Sequence, residues 1–146
     1  MPPRQERRAF SVTRQEKPLS ESIPRQWAEQ ARYDLETARA MLESGRYIYV
    51  LFCCQQAVEK ALKGVIAQNT GEMPPRIHNL VELGKRANLQ ASPAQVELMR
   101  ELARYYIETR YPDEVMGLAY SITHDKAGHV LRETEGLLEW VLSMLP

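Results

Sequence analysis

Apolar residues recur along this chain at steps of three and four, and no stretch alternates at steps of two well enough to predict a strand. That spacing puts side chains on one face of an α-helix. From Pro24, the positions Trp27, Ala31, Leu35, Ala38 and Leu42 form one such face. Pro24 suits a first helical turn. Ser44-Gly45 supplies a stop, because glycine readily takes the left-handed backbone of a helix end. A second segment, from about Arg46 to Gln68, carries Tyr47, Val50, Cys54, Ala57, Ala61 and Val65, widened by Leu51, Val58 and Leu62. Its first two turns are apolar nearly all round. This predicts a central helix with Tyr47 to Cys54 committed to the core.

Asn69-Thr70-Gly71 and Pro74-Pro75 break that helix. Asn79 and Glu82 have the spacing of a capping box, so a short third helix is expected from Asn79, with Leu80, Leu83 and Ala87 inward. Ser92-Pro93-Ala94-Gln95 is a second start signal. It opens a fourth helix through Val96, Met99, Leu102, Ala103 and Tyr106, ending near Tyr111-Pro112. A loop is expected from about Pro112 to Ile122. Thr123 then caps a last helix whose inward face is Ala127, Val130, Leu131, Thr134, Leu138, Val141 and Leu142. The fold class is all-α, an up-and-down bundle of about five helices. Residues 1–23, rich in charge and proline, read as a flexible N-terminal arm with a net charge of +2. Residues 24–146 form the bundle domain.

Composition narrows the function classes. The 146 residues carry 19 basic and 19 acidic side chains, so no overall basic excess favours nucleic acid. The N-terminus lacks an apolar signal-peptide core, and no apolar run is long enough to span a membrane. A cytoplasmic protein is expected. Cys53 and Cys54 are adjacent in an apolar run, which suits small buried hydrophobes better than a disulfide. No C-x-x-C pair occurs, and His124 and His129 stand five apart, a poor match to one helix face, so neither a metal nor a cofactor is indicated. Nucleophile elbow, P-loop and dinucleotide motifs are missing from the sequence.

Three stretches carry candidate chemistry. On the second helix Gln55, Gln56, Glu59, Lys60 and Lys63 share a polar sector, which is either a solvated face or an interaction surface. In "PPRIHNL", Arg76 and His78 precede a helix N-terminus, whose free amides attract anions. In "YYIETRYPDE", Arg110 stands at a helix C-terminus, with Asp113 a prospective partner beyond Pro112.

Together these residues resemble the HEPN domain family (higher eukaryote and prokaryote nucleotide-binding domain). The likeness rests on Trp27, Ala31, Asp34 and Leu35; on Cys54, Gln55, Gln56, Ala57, Glu59, Lys60 and Lys63; on His78, Asn79 and Leu80; and on Arg110, Tyr111, Pro112 and Asp113. It covers Pro24 to the C-terminus. The resemblance implies a dimer and a link to nucleotides such as ATP or GTP. It also implies partnership with a minimal nucleotidyltransferase, as a substrate-binding subunit or one half of a toxin–antitoxin pair. Members that cleave RNA carry an Arg followed after four to six residues by a His. No such pair precedes His78, His124 or His129. The expected function is therefore a non-catalytic nucleotide- or partner-binding module, with Gln56, Lys60, Lys63, His78, Arg110 and Asp113 as site candidates. The alternatives are a ribonuclease toxin using His78 with Arg110, and a structural dimerisation domain without ligand.

Overall fold

The computed structural model describes residues 19–146, with side chains from Ile23 onward. Most of the expected arm lies outside the described residues. Among those described there are six α-helices and no strand: α1 (Leu19–Glu43), α2 (Tyr47–Thr70), α3 (Leu80–Arg86), α4 (Pro93–Ala103), α5 (Pro112–Ser121) and α6 (His124–Leu142).

α2 is the axis of the bundle and touches each of the other five helices. Its buried set includes Val50, Leu51, Cys54, Ala57, Val58, Ala61 and Leu62, all fully inaccessible. The central position follows from the all-round apolar start of this helix. The core commitment of Tyr47 to Cys54 holds for Ile48, Val50, Leu51 and Cys54. Tyr47, Phe52 and Cys53 are only half-buried, and Tyr49 is exposed.

α1 returns against α2 as an antiparallel hairpin through Ser44-Gly45, with Gly45 at a φ of 72°. The two helices approach closely at Gly64, where a Cβ would lie 3.1 Å from that of Trp27. α6 also packs on α2 and on α1, and α3 and α4 contact α2 as well. The caps behave as the sequence predicts at Ser92, which forms a full capping box with Gln95, and at Thr123, which accepts from the Lys126 amide. Asn79 accepts from the Glu82 amide, but the Glu82 carboxylate turns to Arg86 instead of reaching back.

Three boundaries differ from the periodicity. α1 begins at Leu19, so Pro24 lies inside the helix. α4 ends at Ala103, where Arg104 and Tyr105 form a turn and Tyr106 lies beyond it. The stretch expected to be a loop after Pro112 is a helix, α5, with Pro112 in its first turn and Asp113 and Glu114 beside it. Among the described residues no helix is long and apolar enough to cross a membrane.

Candidate functional site

The polar sector of α2 is not a wet face. Gln55, Glu59 and Lys63 are buried, and Gln56 and Lys60 are half-buried. A buried carboxylate is costly unless charged and hydrogen-bonded partners surround it. Glu59, with its side chain 2% exposed, has them. Its Oε1 accepts from Gln55 Nε2 at 3.2 Å and from His78 Nδ1 at 2.9 Å. Its Oε2 accepts from Lys63 Nζ at 3.3 Å and lies 3.8 Å from Lys60 Nζ. The helix supplies this geometry directly: Gln55, Glu59 and Lys63 are successive i, i+4 neighbours.

The remaining donors and acceptors are tied into the same cluster. Gln56 donates to Gln55 Oε1 at 2.7 Å and accepts from Lys60 Nζ at 3.0 Å. Lys63 also stands 5.9 Å from the Trp27 ring centre on α1, a cation–π contact. Asp34, also on α1, faces the cluster. Loss of solvent holds its carboxyl above the usual aspartate value, and the nearby Lys60 charge only partly offsets this.

His78 lies in the extended segment before α3. Glu59 holds it from behind, and the Gln55 amide reaches its backbone carbonyl at 3.4 Å. Its ring stacks on Tyr106, with centres 4.3 Å apart and planes 18° from parallel. The Tyr106 hydroxyl lies 3.1 Å from Nε2 and donates to Glu108 Oε2 at 2.9 Å. In so nearly parallel a stack the hydroxyl sits over the face of the imidazole. Tyr106 therefore holds the Nε2 side of the ring as Glu59 holds the Nδ1 side. The His78 side chain is 45% exposed, and that of Lys60 is 14% exposed. Desolvation and the Glu108 carboxylate push the Tyr106 phenol up to about 12, so it remains a hydrogen-bond donor at neutral pH.

The structure thus brings together Gln56, Lys60, Lys63 and His78. Among the described residues no hydrogen bond or ion pair joins Arg110 or Asp113 to them. Arg110 lies just before α5, not at the end of α4, so the expected stabilisation by a helix C-terminus is absent. It is held by the Arg104 carbonyl at 2.8 Å and by Glu114 at 3.5 Å. Glu114, not Asp113, is its partner, because Pro112 opens a helix and puts Glu114 one turn on from Arg110. Asp113 and Arg76 are exposed. Helix α3 has only seven residues, and Asn79 occupies one of its first amides, so its end is not where an anion is offered.

Sequence reasoning did not predict the roles of Asp34 and Glu108 in this site. A signal for the burial of Glu59 was present: Ile66, seven residues on and therefore on the same face, is apolar and buried. The two cysteines are free, and burial pushes Cys53 to about 11 and Cys54 to about 12. Both stay as thiols at neutral pH, which is unlike a nucleophile.

The HEPN domain family model matches residues 24–144. The chain belongs to the HEPN family. Two solved structures agree with this. TT1696 from Thermus thermophilus is 32% identical, with a TM-score of 0.71, over 84% of this chain and 98% of its own. The archaeal HEPN homologue ST0689 is 26% identical, with a TM-score of 0.67 over the same shares. No curated protein matches the chain. As a HEPN domain, the chain places its buried Glu59 and the His78 edge on the bundle's central helix and the segment beside it.

Proposed function

We propose that this HEPN protein is a non-catalytic binding module that works as a homodimer beside a minimal nucleotidyltransferase. It helps hold the phosphate-bearing substrate, ATP or GTP, at the open edge formed by His78 and Lys60. The observation that carries this reading is the orientation of His78. Glu59 holds Nδ1, Tyr106 stacks on the ring and bonds Nε2, and the half-exposed imidazole shares the Glu59 carboxylate with the Lys60 ammonium. Such preorganisation lowers the cost of ordering side chains around a ligand. Charge-assisted hydrogen bonds from imidazole and ammonium suit phosphate oxygens. Gln56 orients Lys60, and Lys63 keeps Glu59 in place from the buried side.

The ribonuclease reading has less support. It requires a base and a charge stabiliser at one RNA phosphate. The pair it would use is His78 with Arg110. Among the described residues no hydrogen bond or ion pair joins them, and the two terminal nitrogens of Arg110 go to the Arg104 carbonyl and Glu114.

Calorimetric titration with ATP and GTP tests the proposal. Saturable heat is expected with the wild type, and its loss with His78→Ala and Lys60→Ala. Heat that survives both substitutions, or no heat at millimolar nucleotide, would remove the nucleotide from this site.

A further inference from the structure

The exposed face of α1 carries a charge pattern that the Glu59 cluster does not use. Arg25, Glu29, Arg32, Glu36, Arg39 and Glu43 alternate in sign at steps of four and three, and all six are exposed. Steps averaging about 3.6 residues, the helical repeat, keep them on one stripe, roughly 27 Å long at 1.5 Å per residue. Alternation of this kind normally laces a helix with internal pairs. Here, among the described residues, no ion pair joins any two of the six. Only Arg39 has a partner, Glu135 on α6 at 3.1 Å. The order is also wrong for internal pairing, since every i, i+4 step has Arg before Glu, the weaker orientation.

The stripe is complementary to its own reverse. Laid antiparallel on a copy of itself about position 34, Arg25 meets Glu43, Glu29 meets Arg39 and Arg32 meets Glu36. A parallel copy in register would set like charges against each other. Tyr33, 70% exposed, stands beside the midpoint, where two copies would bring their rings together. A two-fold interface uses one patch twice and needs this kind of self-complementarity. Tyrosine near an interface centre is a common anchor. We propose that α1 is the face through which two copies of this chain pair, antiparallel and about position 34. The inference rests on the paired state proposed above and names its surface. Exposed ion pairs add little affinity singly, so the stripe sets direction and register and makes pairing sensitive to salt.

The test uses two charge-reversed full-length variants. One carries Arg25→Glu with Arg32→Glu, and the other carries Glu36→Arg with Glu43→Arg. Sedimentation equilibrium should give twice the 16.8 kDa chain mass for the wild type at low salt. Each variant alone should fall to the single-chain mass, and an equimolar mixture should return to the doubled mass. Variants that remain dimeric alone would overturn the α1 surface and leave the paired state standing. A mixture that stays at single-chain mass would also overturn the surface. A wild type at single-chain mass would overturn both pairing and surface, with nucleotide binding at His78 still judged by its own titration.

Discussion

Glu59 organises the polar cluster, and its surroundings state what its loss would do. Removing one partner of a buried ion pair strands the other charge away from water. Glu59→Ala would leave Lys63, itself 7% exposed, with no carboxylate. It would also release His78 and Gln55. The expected cost is about 3–5 kcal/mol of folding stability, the range for breaking a buried pair, read as a lower urea midpoint. Lys63→Met should cost less, because Gln55, His78 and Lys60 still surround Glu59 and the apolar stem is retained. Equal costs would contradict this hierarchy. The sequence placed Glu59 and Lys63 at pairing distance and on a polar sector, but left open whether water covered it. The cover comes from the His78 segment and from α1, which lie far from Glu59 along the chain. Local spacing cannot report such contacts.

At the scale of elements, α2, α3 and α6 were legible because their caps and apolar stripes agree. α5 was not, even though Pro112, Asp113 and Glu114 are proper first-turn residues. Its inward positions, Val115, Leu118 and Ala119, make only a short stripe on a ten-residue helix, and none of its residues is fully buried. A helix with so little buried surface should open more readily than its neighbours. Amide hydrogen exchange is therefore expected to be fastest among the helices in α5 and slowest in the middle of α2. Protection of α5 equal to that of α2 would show that something holds the helix beyond its contacts within the chain. α1 shows the opposite lesson. Its inward face was plain from the sequence, whereas the meaning of its outward charges required knowing that they do not pair along the helix.

For the whole molecule, a formal net charge of zero leaves little long-range attraction for any anion, so affinity has to be local. Locally, Lys60 and Lys63 are balanced by Glu59 and Asp34. The raised Asp34 carboxyl gives this balance a pH dependence. The native protein takes up that proton at higher pH than the unfolded chain does. Between the ordinary aspartate value of 3.8 and the raised native one, this group therefore makes stability fall as pH rises. Asp34→Asn should remove that contribution, seen as a difference between the urea midpoints of the two proteins that changes across mildly acidic pH. Parallel profiles would contradict the assignment. The bundle class and the family were readable from the order of the motifs. The pairing of Arg110 with Glu114 was not, because it follows from where α4 ends and α5 begins.

The central claim is that a nucleotide phosphate meets the half-exposed imidazole of His78. The chain has three histidines, and His124 and His129 lie on α6 away from the Glu59 cluster. The most direct measurement follows their ring-nitrogen resonances by NMR while ATP or GTP is added. The account predicts that Nε2 of His78 shifts progressively to saturation while the other two histidines stay in place. An unmoved His78 at millimolar nucleotide, or three histidines moving alike, would contradict it.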